Sequence, residues 1–165
     1  MSLFEDDQYR WRETYFVLFD SAKRPTLQRT KHVLAGLSNH YTLSNFSHDK
    51  KGLLESLTML APDDFAALDV CYVGGEEVLE QGAQLAKEIK FALYDPADQE
   101  KLKMLGKYDG RFDVLHFEQI ADVGSDEEGE SDELLDPSAV LIVLDALAKL
   151  TEGIAIDPQS GILMQ

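Results

Sequence analysis

The chain holds one cysteine, Cys71, in 165 residues. A single thiol cannot form an internal disulfide. This excludes the stapled frameworks of small secreted domains and fits a reducing compartment. No apolar run approaches the roughly 18 residues of a membrane-spanning helix. The opening stretch MSLFEDDQYRW, Met1 to Trp11, has no basic region and no apolar core, so it does not read as a signal peptide. Together these lacks predict a cytoplasmic protein with no membrane partner. Positive charge is also scarce. Fifteen Lys and Arg face 31 Asp and Glu, a formal net charge of −16. Non-specific binding of nucleic acid needs a basic surface and is excluded as an expectation. A basic protein partner, or plain solubility, fits the charge better.

Several chemical signatures are missing as well. The histidines are His32, His40, His48 and His116, and no two stand at metal-ligand spacing with each other or with Cys71. The glycine pair in YVGGEEV, Gly74-Gly75, lacks the rest of a phosphate-binding loop, and Glu76 and Glu77 would repel an anion there. No G-x-S-x-G elbow occurs. Cys71 sits inside an apolar strand, which predicts a buried, inert thiol. His116, between Leu115 and Phe117, is expected to be a structural histidine. No catalytic, cofactor-binding or metal-binding residue is predicted.

What is there suits one compact domain. The apolar content is 44% and the charged content 28%. A chain of this length can bury about 70% of its unfolded surface without a disulfide or metal. TYFVLF, Thr14 to Phe19, is too short for a helix and reads as a strand buried on both faces. Pro25 then suits a first helical turn, with Leu27, Thr30, Leu34 and Leu37 on one stripe. HYTLSNF and LLESLTML read as paired strands around the turn HDKKG. LDVCYV is another strand. From Glu76 an amphipathic helix follows, and Gly82 on its apolar face predicts close approach to the sheet. Asp95 and Pro96 mark a second helix start, with Gly106 as its stop. RFDVLHFEQI is a strand. SAVLIVLDALAKLTEG is a helix apolar nearly all round, with Leu141, Val143, Leu144 and Leu147 expected in the core. Gly153 stands where a left-handed terminator belongs. Two short extended pieces close the chain. The fold expected is α+β, a two-layer sandwich of a mixed, mainly antiparallel sheet with helices packed on one face, forming a single domain over 1–165.

The densest anomaly is DVGSDEEGESDELLDP, Asp122 to Pro137. It carries eight carboxylates and no Lys or Arg. A calcium loop needs oxygens at positions 1, 3 and 5, Gly at 6 and Glu at 12. Neither a start at Asp122 nor one at Asp126 meets that pattern. Close like charges without apolar anchors predict a mobile acidic loop over about 122–135. The opposite anomaly is FDSAKRPT. Asp20 stands at the end of the first strand, and Lys23, Arg24, Arg29 and Lys31 gather positive charge on an acidic chain. These five residues read either as a solvated helix face that offsets nearby acids or as a contact site for an anion or an acidic protein segment.

The closing stretch ALAKLTEGIAIDPQSG resembles the ending of several uncharacterised bacterial domain families, in which a helix, a Gly turn and a short strand precede D-P-Q-x-G. YFVLFDSAKRPTL, ESLTMLAPDDFAALDVCYVGGEEVLEQ and RFDVLHFEQI are similar to a conserved family of planctomycete-type bacteria that brings no activity with it. Some proteins with the D-P-Q ending resemble immunity partners of secreted toxins. That resemblance implies a non-enzymatic protein-interaction module. Asp157-Pro158-Gln159 itself reads as turn chemistry. Two alternatives stay open: an anion-sensing domain built around Asp20, Lys23 and Arg24, and an enzyme of unrecognised type.

Overall fold

A computed structural model of the chain describes residues 8–89, 94–120 and 136–164. The acidic stretch expected to be mobile, 122–135, lies outside them. The elements run β1 (Tyr9–Phe19), α1 (Leu27–Ala35), β2 (Thr42–His48), β3 (Leu54–Ala61), β4 (Ala66–Gly74), α2 (Glu76–Glu88), α3 (Pro96–Leu102), β5 (Gly110–Gln119), α4 (Ser138–Thr151), β6 (Ile154–Asp157) and β7 (Ile162–Leu163). Short 3-10 turns lie at Ser21–Lys23, Pro62–Asp64 and Leu105–Lys107. The strands form one sheet in the order β2-β3-β4-β5-β1-β6-β7. Every strand pairing among the described residues is antiparallel. The α+β sandwich expected from the sequence is the architecture, with two corrections. The sheet is wholly antiparallel among the described residues rather than mixed. Helices cover both of its faces rather than one, because β1 and β6 are apolar on both sides.

Strand alternation divides the apolar residues between two faces. Val17, Phe19, Leu68, Val70, Phe112 and Val114 point to one face and meet Leu27 and Leu34 of α1 and Val140, Val143, Leu144 and Leu147 of α4. Leu18, Ile154 and Ile156 point to the other. There Val78 and Leu85 of α2, Leu102 of α3 and Leu105 form a smaller core over the β1–β6 region. TYFVLF is therefore buried on both sides at its end, as its continuous apolar run predicts: Val17, Leu18 and Phe19 are all fully buried.

Local signals act largely as expected, with three shifts of detail. The first is that α3 ends at Leu102, so Gly106 is not its stop but lies within the 3-10 turn Leu105–Lys107. Asp95 caps α3 through its carboxylate, which accepts from Asp98 N–H at 2.8 Å, and Pro96 is the first helical residue. At the end of α4 the left-handed residue is Glu152 (φ 55°), not Gly153. Gly153 is needed for a different reason. A Cβ there would stand 2.3 Å from the Leu18 carbonyl oxygen and 2.8 Å from Phe19 Cβ. Gly82 does permit close approach, chiefly to the Leu105 carbonyl at 2.3 Å and secondarily to Leu18 of the sheet at 3.4 Å. The D-P-Q ending makes the β6–β7 turn: Asp157 accepts from Gln159 N–H through its carboxylate and from Gly161 N–H through its carbonyl.

One core expectation fails. Val143, Leu144 and Leu147 are fully buried, but Leu141 is 42% exposed, as is its neighbour Ile142 at 43%. The buried stripe of α4 follows Ala139, Val140, Val143, Leu144, Leu147, Ala148 and Thr151. Leu141 and Ile142 lie off that stripe. Leu141 shares its side of α4 with Asp145 and Lys149, four and eight residues on, and that charged stripe marks the outer side.

Candidate functional site

The loop after β1 is held from several sides. Asp20 accepts from Ala22 N–H at 2.9 Å, which closes the 3-10 turn. Asp109 accepts from both Ser21 N–H and Ser21 Oγ at 2.8 Å. These bonds, the Ser21 N–H first, hold the Asp109 carboxyl below its usual range. Thr26 caps α1 by accepting from Arg29 N–H at 3.1 Å. The β2–β3 turn lies beside this loop. Leu54 N–H donates to Pro25 and Leu27 N–H donates to Gly52. Arg24 then pairs with Asp49 of that turn and lies 4.1 Å above the Tyr72 ring. Lys23 pairs with Glu152 at the end of α4. That contact raises the Lys23 pKa and lowers that of Glu152.

The folded chain splits the predicted residues between two flanks of the loop. Lys23 and Arg29 line a depression of about 370 Å³ with Ala22, Lys149, Leu150 and Glu152. Arg24 lines a second, of about 460 Å³, with Ser21, Asp49, Lys50, Lys51, Leu53 and Tyr72. Lys31 lies 4.1 Å above the Phe46 ring. Asp20 acts as the cap of the turn. The five predicted residues thus share one end of the molecule without converging on one cleft.

Folding adds to this end what the sequence did not reveal. Lys50 and Lys51 arrive from the β2–β3 turn and Lys149 from α4. Six of the fifteen Lys and Arg, namely Lys23, Arg24, Arg29, Lys50, Lys51 and Lys149, line these two depressions around the start of α1, while Lys31 stands apart over Phe46. The lining acids are Asp49 and Glu152, which pair with Arg24 and Lys23, and Asp145 pairs with Lys149 at 2.8 Å. Beside this cationic end an apolar groove of about 370 Å³ runs between α1 and α4, lined by Val33, Leu37, Ile142, Ala146 and Leu150 with Asp145 and Lys149. Lys149 and Leu150 belong to both groove and cationic depression. The available signal for the groove was the all-apolar pattern of α4, which leaves side chains over once the sheet is covered.

The chain matches no protein-family model, no curated protein and no solved structure.

Two other groups have chemical potential. A bulge in β1 between Trp11 and Glu13 sets Glu13 opposite His116 of β5. Glu13 contacts His116 Nδ1 at 2.8 Å and accepts from Tyr15 at 3.1 Å. Burial, followed by the Glu13 charge, lifts the Tyr15 hydroxyl above its ordinary range. Nearby, Glu118 pairs with Arg10 and Arg12. His116 Nε2 and Glu118 Oε2 have no hydrogen-bond partner. His116 is therefore structural, as expected, but only half satisfied. A carboxylate beside imidazole orients a general base, yet this ring is 1% exposed and closed to a substrate. Cys71 is half-buried. Burial first, then Asp69 and Asp113, pushes its thiol up to about 11, so the nucleophilic thiolate is scarce at neutral pH. Among the described residues no group of three or more His, Cys, Asp or Glu is placed to hold a metal ion.

Proposed function

We propose that this chain is a non-enzymatic protein-interaction module whose contact surface is the cationic end around the start of α1. The observation that carries the reading is the gathering there of six Lys and Arg from four separate parts of a chain of net charge −16, against two lining acids, Asp49 and Glu152. Charge of one sign concentrated against the overall balance steers and registers an oppositely charged partner. The partner class at this end is an acidic protein segment. The remainder of the surface, rich in carboxylates, suits the basic partner expected from composition, as an immunity-type protein would use it. Within this reading the two charged regions serve two different contacts.

The test is binding of a fluorescein-labelled decaglutamate peptide to the full chain by anisotropy. Binding should weaken steeply between low and physiological salt. Arg29→Glu with Lys149→Glu should abolish it. Both side chains are exposed, so folding should persist in the double variant. Peptide binding that survives the double reversal would refute the reading, as would no binding at low salt.

The depression shared by Lys23, Arg29 and Lys149 favours a second reading, a small-anion sensor. Under it, millimolar phosphate raises the melting temperature and Lys23→Ala/Arg29→Ala abolishes the rise. An unchanged melting temperature would remove this alternative.

A further inference from the structure

We infer that the segment recognised at this end is an amphipathic helix, acidic in its first turn, that lies in the apolar groove between α1 and α4. The inference rests on the reading of the cationic end as a contact surface and names the class of partner that fits it. Three observations carry it. First, groove and cationic depression form one continuous surface, joined at Lys149 and Leu150. Second, α4 exposes Ile142 at 43% beside the Asp145–Lys149 ion pair, although its opposite stripe already fills the core, so this apolar side chain stands at the surface without a fold requirement. Third, the positive charge stands at one end of the groove: Arg29, at the start of α1, shares a depression with the last turn of α4, while Val33 and Leu37 lie further along.

These features set the geometry of an occupant. From Ile142 to Leu150 the groove follows eight residues of α4, about 12 Å at the helical rise. That length matches two turns of a third helix seated between two others. Two turns present apolar side chains at i, i+3, i+4 and i+7, which is the helix-in-groove mode of recognition. Carboxylates in the first turn of such a helix suit its own dipole and would face Lys23, Arg29 and Lys149. A purely acidic segment would leave the apolar groove unused. A purely apolar one would leave the cationic end unused, where Lys23 and Lys149 already pair with Glu152 and Asp145.

The experiment compares three labelled peptides on the full chain. One carries glutamates in its first turn and leucines at i, i+3, i+4 and i+7. The second is the same composition scrambled. The third is decaglutamate. The patterned peptide should bind at least about tenfold tighter than the scrambled one, the effect of burying one or two leucines. Ile142→Ser and Leu37→Ser should each reduce that preference while leaving decaglutamate binding unchanged. Leu141→Ser, on the same helix but outside the groove, should leave both unchanged. Equal binding of patterned and scrambled peptides overturns the helix-in-groove inference and leaves the cationic reading standing, provided decaglutamate binds in a salt-dependent way. A preference that survives Ile142→Ser and Leu37→Ser places the helix elsewhere and also overturns it. Failure of all three peptides to bind overturns both readings.

Discussion

The guanidinium of Arg24 lies 4.1 Å above the ring of Tyr72 while donating to the carboxylate of Asp49. This arrangement joins the loop after β1, the β2–β3 turn and the end of β4 through one side chain. The same ring meets Phe19 and Phe112 at centroid distances of 6.0 and 6.1 Å. The surface cation is therefore anchored on the core. Arg24→Ala should cost about 1–3 kcal/mol, from a part-buried cation–π contact and a charge-assisted hydrogen bond. Lysine should recover only part of that, since it lacks the planar stack. Urea denaturation measures the effect. A loss below about 0.5 kcal/mol would mean that Arg24 belongs to the surface alone.

Gly153 and Gly106 offer a contrast within one chain. A Cβ at Gly153 would strike the Leu18 carbonyl at 2.3 Å, whereas one at Gly106 would meet nothing nearer than Ala83 Cα at 3.5 Å. Gly153→Ala should destabilise by about 1–3 kcal/mol or more through forced backbone movement. Gly106→Ala should lie within about 0.5 kcal/mol of the parent chain. Equal thermal melts for the two variants would show that the end of α4 does not press on β1.

The two sides of α4 predict opposite responses to the same change. Leu144→Ala removes a fully buried side chain from the larger core and should cost about 2–5 kcal/mol. Leu141→Ala, at 42% exposure, should cost under about 1 kcal/mol. Reversed magnitudes would invert the orientation of the helix.

Much of this was legible in the sequence, and the rest was not for identifiable reasons. TYFVLF reads as a doubly buried strand because no polar residue interrupts it. Asp95-Pro96 reads as a helix start because cap and proline act locally. Lys50, Lys51 and Lys149 could not be joined to Lys23 and Arg29, since pairing of β2 with β3 and packing of α4 are long-range. The exposure of Leu141 was legible but easily missed: Asp145 and Lys149 stand four and eight residues further along the same side of α4, and that charged stripe marks the outer side. Glu13 and His116 meet only because a bulge shifts the β1–β5 register, and bulges leave little trace in a sequence.

Cys71 supplies a test in pH. Its folded thiol is pushed up to about 11, mainly by burial. Against an ordinary value of 9.0 this leaves on the order of 100-fold less thiolate at neutral pH. Iodoacetamide should therefore label the native chain far more slowly than the urea-unfolded chain. The linkage has a definite sign. Above about pH 9 the unfolded thiol ionises while the folded one stays protonated, so the Cys71 contribution to stability falls as pH rises towards 11. Cys71→Ser should weaken that alkaline fall. Native labelling as fast as unfolded labelling would contradict the burial of the thiol.

The most direct test of the central claim is where an acidic peptide touches the chain. Backbone amide shifts of the labelled full chain, followed by NMR during titration with decaglutamate at low salt, locate the contact. The account predicts shifts clustered at Ala22 to Thr30, at Asp49 to Leu53 and at Lys149 to Glu152, fading as salt is added. Saturable shifts centred elsewhere, or none in those three stretches, would contradict it.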